Sequence, residues 1–188
     1  MLQQTQVDRV RDYYPQFLRE YPTVRDLANA QPARVRDSWE GLGYYARARN
    51  LQAAARAVAE RHQGRFPRRL EEVMALPGVG RYTAGAVMSF AYEEAAPILD
   101  TNVRRVLTRL FVRRRPTSQG KLNRRLWALA EAAIPPGRVW EFNQGLMDFG
   151  AMVCTARNPK CSKCPMRLVC AFGSRSGNPN AILLEEKP

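Results

Sequence analysis

The fold prediction starts from one stretch, Leu76-Pro77-Gly78-Val79-Gly80-Arg81-Tyr82-Thr83-Ala84. Helical periodicity precedes it near residues 69–75 and follows it from residue 81 to about 92, which predicts a tight turn between two helices. Gly78 and Gly80 can take backbone angles that side chains restrict, and they allow a ligand to approach closely. Amide groups at the start of the second helix would point outward and could bind a phosphate. A turn that only packs two helices together is the alternative.

The remainder of the chain also shows helical periodicity. Apolar residues at three- and four-residue steps predict one buried helix face, formed by Val7, Val10, Tyr14, Phe17, Leu18 and Tyr21. Pro15 is expected to kink or split that helix. Thr23 with Asp26 predicts a helix start, and Pro32 suits the first turn of the next helix. Further helices are predicted at 45–61, 101–111, 119–133 and 139–152.

No stretch alternates long enough to predict a strand, so the fold class is all-α. Two helical domains are expected, at residues 1–96 and 97–172, with a tail at 173–188 that has no periodic pattern. The Arg- and Pro-containing residues 113–116 are predicted to form an exposed link. A chain of 188 residues is long enough for either one domain or two small ones.

The charge of the chain is strongly positive. Thirty Lys and Arg residues against 17 Asp and Glu give a net charge of +13, and nearly all the basic residues are Arg. Such an excess favours a polyanionic partner, most commonly nucleic acid, although solvated Arg on helix faces is the alternative. No apolar run reaches the roughly 20 residues of a membrane span. The first six residues do not look like a secretion signal, which predicts a cytoplasmic protein.

All four cysteines follow one another closely, as Cys154, Cys161, Cys164 and Cys170, with the spacing C-x6-C-x2-C-x5-C. Disulfides would suit a secreted protein, but nothing indicates secretion. Four thiolates can hold either a structural zinc or a [4Fe–4S] cluster, and chemistry alone leaves both open. The intervening basic residues, Arg157, Lys160, Lys163 and Arg167, suit phosphate contact or solvation of an exposed metal loop. His62 is the only histidine, which removes most His-based metal sites.

Asp100 lies just before a predicted helix, in the string PILDTNV at residues 97–103. An ordinary N-cap is one interpretation. The same position also stabilises negative charge through the helix dipole and amide hydrogen bonds. Asp100 is therefore both a capping residue and a candidate catalytic carboxylate.

The string LPGVGRYTA resembles the hairpin of the helix-hairpin-helix base-excision DNA glycosylases. The cysteine spacing is similar to that of the endonuclease III and MutY members. The strings MLQQTQV (1–7), GLGYYARARNL (41–51) and FNQ (142–144) are most similar to the MutY adenine glycosylases. The resemblance implies the all-α helix-hairpin-helix glycosylase fold with an iron–sulfur domain. It also implies a [4Fe–4S] cluster on the four cysteines. The implied partner is double-stranded DNA with a mispaired or damaged base, bound by a monomer.

The resemblance also implies roles for individual residues. Asp100 would face the sugar of an extruded nucleotide, and Tyr82 stands where bifunctional members carry the lysine that attacks the sugar, which favours base removal alone. Residues implied to contact DNA are Gln4, Tyr44, Gly78, Gly80, Arg81, Thr83 and Asn102, with Gln4 and Tyr44 wedged into the duplex. Gln144 would read the flipped adenine. The alternatives are an exposed Gln4, a core aromatic at Tyr44 and a helix amide at Gln144 satisfied within the protein.

The target base has an alternative within the same fold, because tyrosine at position 82 also occurs in G·T-mismatch thymine glycosylases. The family's general-acid glutamate lies just upstream of MLQQTQV, and its 8-oxoguanine-recognition domain lies C-terminal to the cluster domain. We therefore expect a truncation at an internal methionine, and slow adenine excision by residues 1–188 alone. An iron–sulfur protein that binds distorted DNA without cutting it is the non-enzymatic alternative.

Overall fold

A computed structural model describes residues 1–113 and 118–174. Within them it has no strand, ten α-helices and one short 3-10 segment at Cys161–Lys163, which confirms the all-α prediction. The helices are α1 Val7–Glu20, α2 Val24–Asn29, α3 Pro32–Asp37, α4 Ala46–Arg61, α5 Leu70–Met74, α6 Arg81–Ala91, α7 Thr101–Phe111, α8 Gln119–Ala132, α9 Val139–Met152 and α10 Ala171–Ser174.

The chain divides into two compact units, Met1–Gly80 and a second from Arg81 onward. The predicted boundary between residues 96 and 97 lies inside the second unit and stays a prediction. The first unit is built around Trp39, which is about 1% exposed and packs edge-on against Phe17 at 5.9 Å between ring centroids. Helices α1, α2 and α4 supply most of this core.

Only half of the residues predicted to form the buried face of α1 are buried. Val10, Phe17 and Tyr21 are buried, but Val7, Tyr14 and Leu18 are exposed. With 3.6 residues per turn, each residue advances about 100° around the helix. The three buried residues then fall on one narrow stripe, and the other three lie to one side of it. The apolar spacing was correct, but the buried stripe is narrower than a typical amphipathic face.

Pro15 neither splits nor ends α1, which continues from Val7 to Glu20. A proline inside a helix removes one N–H donor, but the hydrogen bonds on either side can persist. The predicted helix starts are confirmed. Thr23 and Asp26 form a reciprocal capping box, and Pro32 is the first residue of α3.

The second unit has its core between α7, α8 and α9, where Val103 and Leu126 are completely buried. Two glycines allow close packing at the start of α7 and at the segment just before it. A Cβ on Gly150 would lie 2.8 Å from Cβ of Asn102, and one on Gly85 would collide with the carbonyl oxygen of Pro97. The start of α7 is therefore held by α6 and by α9.

A buried amide also fixes the segment before α7. Asn143, 2% exposed, donates from Nδ2 to Ser89 Oγ at 2.9 Å and to the Ala96 carbonyl at 3.0 Å. Ser89 Oγ in turn donates to the same carbonyl at 2.8 Å. Because buried polar groups are costly to leave unpaired, this network fixes the path of the chain toward Asp100.

Two sequence predictions fall at or beyond the described ranges. Gly173 and Ser174 are the last residues of α10, and the rest of the predicted tail lies outside the described residues. The predicted link at 113–116 lies outside them as well, except for Arg113. In the part of the chain that is described, no helix is long and apolar enough to span a membrane.

Candidate functional site

Asp100 caps α7, as the sequence predicts. Its Oδ1 accepts a hydrogen bond of 2.6 Å from the Val103 backbone N–H, and its Oδ2 accepts one of 3.2 Å from Asn102 Nδ2. Both carboxylate oxygens therefore act as acceptors at a helix N-terminus, where partial positive charge stabilises an anion. Asp100 is only partly buried, so an outside group can still reach it.

Tyr82 lies in the second unit, within electrostatic range of Asp100. Burial, and then the negative charge of Asp100, raise the pKa of the Tyr82 phenol above its ordinary value. The side chain is 38% exposed. At neutral pH Tyr82 is therefore a neutral phenol that can donate a hydrogen bond.

Asn102 and Arg105 continue the network from Asp100 across the second unit. Asn102 Oδ1 accepts a hydrogen bond of 2.8 Å from Arg105 Nη2. The same guanidinium donates to the Gly150 carbonyl at 2.7 Å and the Cys154 carbonyl at 2.8 Å. Both ends of the Asn102 amide are thus used within the chain, and its predicted contact with DNA stays a prediction.

Arg109, one turn further along α7, lies against the cysteine loop. It donates to the carbonyls of Cys154, Thr155 and Ala156 at 3.3, 2.7 and 3.2 Å, and to the Cys154 sulfur at 3.4 Å. Its own carbonyl lies 3.4 Å from the Cys170 thiol. One arginine therefore fixes both the first and the last cysteine relative to α7.

The four cysteines are unpaired, with Cys161 exposed and the other three half-buried. Burial raises the pKa of the Cys164 thiol, and the other three thiolates raise it further, against a backbone hydrogen bond at Met166 that lowers it. Among the described residues, no three His, Cys, Asp or Glu side chains form a group able to hold a single metal ion. The donor set itself, four thiols in one loop of which three are half-buried, fits an iron–sulfur cluster held by four Cys ligands.

The hairpin between α5 and α6 has the predicted turn. Gly78 has φ +73°, and a Cβ there would lie 2.5 Å from Asn50 Cβ, so only glycine fits. The expectation for Gly80 is wrong in one respect, because its φ is not positive and a Cβ would point into open space. Gly80 is exposed, so its predicted role in the approach of a ligand stays open to test.

Helix α6 carries the rest of the hairpin motif. Arg81 stacks on the Trp127 ring, 4.2 Å from its centroid, and pairs with Glu131 at 3.8 Å, while remaining partly exposed. Thr83 is half-buried one position after Tyr82. The Arg81 guanidinium is therefore held by α8, where it can still reach solvent.

Gln144 lies on α9 and donates from Nε2 to Asp148 Oδ1 at 3.0 Å. The Gln144 amide is therefore hydrogen-bonded within its own helix, which is the alternative interpretation of this residue. The role of Gln144 in reading a base stays a prediction. Asp148 is the acceptor that orients the Gln144 amide.

Gln4 and Tyr44 lie in the first unit and are both exposed, Tyr44 by 63%. Tyr44 is therefore not a core aromatic. Both residues have positive φ, 62° for Gln4 and 49° for Tyr44, which is uncommon for residues other than glycine. Arg47 contacts the segments that carry both.

Sequence reasoning did not identify Arg47, Arg105 or Arg109. In a chain with so many arginines, none of the three stands out by composition. The spacing of Arg105 and Arg109, four residues apart on the helix that Asp100 caps, was the one usable signal.

Comparison with known proteins identifies the family of the chain. The family described as HhH-GPD superfamily base excision DNA repair protein matches residues 1–132, and the iron–sulfur binding domain of endonuclease III matches residues 154–170. The chain belongs to the HhH-GPD superfamily of base-excision DNA repair proteins, and the match over residues 154–170, which contain all four cysteines, indicates an iron–sulfur cluster.

Among the curated relatives, human adenine DNA glycosylase is 44% identical over 96% of this chain and 35% of its own length. The adenine DNA glycosylase of Schizosaccharomyces pombe is 41% identical over 90% of this chain and 37% of its own length. The chain thus spans little more than a third of the length of these relatives.

Solved structures show the same fold. A thermostable thymine-DNA glycosylase superposes with a TM-score of 0.82 at 34% identity, covering 93% of this chain and 80% of that one. A trapped endonuclease III–DNA covalent intermediate gives a TM-score of 0.77 at 28% identity, covering 92% and 80%.

The nature of the iron–sulfur centre can be tested by metal analysis. Protein prepared without oxygen should contain about four irons with matching sulfide, since four thiolates suit a [4Fe–4S] centre. Cys164→Ser should lower the iron content, whereas Ser162→Ala in the same loop should not. One zinc and no iron per chain would contradict the assignment.

Proposed function

We propose that this chain is the excision part of a monofunctional adenine DNA glycosylase. It would hydrolyse the N-glycosidic bond of adenine mispaired with 8-oxoguanine or guanine in double-stranded DNA. The observation that carries the proposal is the Asp100 carboxylate held at the start of α7 beside the neutral Tyr82 phenol. The relatives that bear the name adenine DNA glycosylase support adenine as the target.

Asp100 would act electrostatically. Breaking an N-glycosidic bond builds positive charge on the sugar, as in glycoside hydrolysis. A carboxylate about 4 Å away, at an effective dielectric near 20, would interact with that charge by roughly 4 kcal/mol. If this attraction acts mainly in the transition state, it is worth about a thousandfold in rate. The two N–H donors on Asp100 would keep its oxygens oriented before the charge develops.

Tyr82 supports hydrolysis without strand cleavage. Cleavage by a Schiff base needs an amine at the sugar, and a phenol cannot supply one. As a neutral donor beside Asp100, Tyr82 could instead hydrogen-bond to the sugar–phosphate near the reacting carbon. The product would be a base-free sugar in an intact strand.

The remaining predicted residues would hold the DNA. The hairpin residues Gly80, Arg81 and Thr83 lie at the N-terminus of α6, a position suited to a backbone phosphate. The basic residues of the cysteine loop, Arg157, Lys160, Lys163 and Arg167, are all exposed. A bound cluster would supply four iron–thiolate bonds that cross-link this loop.

Gln144 would offer its amide to the Hoogsteen edge of adenine, the edge that Gln pairs with in duplex recognition.

A second candidate target is thymine in a G·T mispair. It is favoured by the 34% identity to the thymine-DNA glycosylase and by the shared all-helical fold. Identifying the base released from A·8-oxoguanine and G·T duplexes separates the two candidates. If neither base is released by a chain that binds mispaired DNA, the non-enzymatic alternative replaces both.

Binding to a mispaired duplex should weaken steeply with salt, because each neutralised phosphate contributes about 0.9 to the slope of log K against log salt. Lys163→Ala should reduce that slope by about 1. Arg36→Ala is the control, since that side chain pairs with Asp37 at 3.2 Å and is expected to leave the slope unchanged. Affinity that is independent of salt would contradict a role for the basic surface in DNA binding.

A further inference from the structure

We infer that Arg47 is a positioning residue that clamps Gln4 and Tyr44 in the exposed conformations they need to enter a duplex. The inference rests on the proposed function insofar as these two residues are taken to contact DNA. The clamp itself lies wholly within the first unit and can be tested without DNA.

The guanidinium of Arg47 joins two segments that are distant in sequence. In the segment before α1 its acceptors are the carbonyls of Met1 and Gln3 and the Thr5 hydroxyl. In the loop before α4 they are the carbonyls of Leu42 and Gly43. These hydrogen bonds are 2.7 Å long to Met1, 2.9 Å to Thr5, 3.0 Å to Leu42 and 3.1 Å to Gly43.

Two of these acceptors lie next to the residues with unusual backbone angles. The Gln3 carbonyl belongs to the peptide unit just before Gln4, and the Gly43 carbonyl to the unit just before Tyr44. Both Gln4 and Tyr44 have φ in the left-handed region. Such conformations persist at functional sites only when the surroundings fix them, and here one side chain fixes both.

Aromatic rings complete the clamp. The Arg47 guanidinium carbon lies 5.5 Å from the Trp39 ring centroid and 5.6 Å from that of Tyr44, within the range of cation–π attraction. Trp39 is buried in the core of the unit, so it anchors the guanidinium. Tyr44 is thereby held against a fixed group, although most of its surface is exposed.

This arrangement distinguishes Arg47 from an arginine that binds phosphate. Both terminal nitrogens already donate to acceptors inside the chain, and Nε is buried without a partner among the described residues. The planar fork of arginine can serve several carbonyls at once and stack on rings. Lysine, with one ammonium on a flexible stem, keeps the charge but cannot reproduce that geometry.

The test compares Arg47→Lys with Arg49→Ala, which removes an exposed charge from the first turn of the same helix. Amide hydrogen exchange of residues 3–5 and 43–45 should accelerate about tenfold or more in Arg47→Lys, because charge-assisted hydrogen bonds are lost. Arg49→Ala should exchange like the unsubstituted chain. Thr5→Val removes one acceptor of Arg47 and the hydrogen bond of 3.3 Å that the Thr5 hydroxyl donates to the Leu42 carbonyl, and it should show a smaller change in the same direction. Thermal unfolding followed by circular dichroism shows that each variant is folded.

A second measurement uses duplexes with and without an A·8-oxoguanine pair. Arg47→Lys should lose about tenfold in affinity for the mispaired duplex and keep its affinity for the paired one. Unchanged exchange in Arg47→Lys would overturn the clamp. Equal losses on both duplexes would also overturn it and identify Arg47 as a phosphate contact. If the unsubstituted chain does not distinguish the duplexes, the proposed function fails, and the exchange data still decide on the clamp.

Discussion

Asp100→Asn should lower single-turnover adenine excision by about a thousandfold, the rate equivalent of the lost attraction between a carboxylate and the sugar cation. Affinity for the mispaired duplex should remain. The asparagine oxygen can still accept the hydrogen bond from the Val103 N–H, so the cap of α7 should survive. The measurement is base release followed in a rapid single turnover, with binding measured separately.

Asp26→Asn is the matched control, because Asp26 is another carboxylate that hydrogen-bonds at a helix start. It should reduce stability slightly and leave the excision rate within about twofold, since surface substitutions of this kind have small effects. Excision by Asp100→Asn at a rate close to that of the unsubstituted chain would show that Asp100 serves only as a helix cap.

A longer form that carries a glutamate a few residues upstream of Met1 should excise adenine about a hundred- to ten-thousandfold faster than residues 1–188 alone. A purine leaves readily only when a ring nitrogen is protonated. Asp100 is needed as an anion beside the sugar in this mechanism, so it cannot also give that proton. The upstream glutamate would then act as the general acid, and Asp100 would stabilise the positive charge on the sugar.

The control for this experiment is the same extension with glutamine in place of the glutamate. It keeps any packing gained from the added residues and removes the acid. Equal rates for the two extensions, or for the extended and unextended chains, would show that the proton comes from another group.

Much of the fold could be predicted from the sequence because its signals are local. Thr23 with Asp26 predicts a capping box, and Asp100 predicts the start of α7, since both depend on hydrogen bonds to amides two or three residues away. The four cysteines predicted a metal loop from spacing alone. Gly78 was predicted correctly because a tight turn needs its backbone freedom.

The parts that could not be predicted depend on contacts between distant segments. Arg47 and Arg109 bind backbone carbonyls. Because every residue has a backbone carbonyl, the sequence does not indicate which carbonyls accept these hydrogen bonds. Which apolar residues of α1 are buried depends on their distant partners, since Phe17 packs against Trp39 whereas Tyr14 is exposed. Gly80 looked like a second required glycine because the motif repeats, but its backbone angle is ordinary.

The central claim is that this chain releases adenine by hydrolysis, with Asp100 as the charge stabiliser and Tyr82 in place of an amine nucleophile. The most direct test is single-turnover reaction of the chain and its upstream-extended form with A·8-oxoguanine and G·T duplexes. The released base is identified, and the strands are examined before and after alkali and with borohydride present. We predict free adenine and a strand that breaks only after alkali treatment, with no protein trapped on the DNA. Preferential release of thymine, or a borohydride-trapped adduct through a lysine, would contradict the claim.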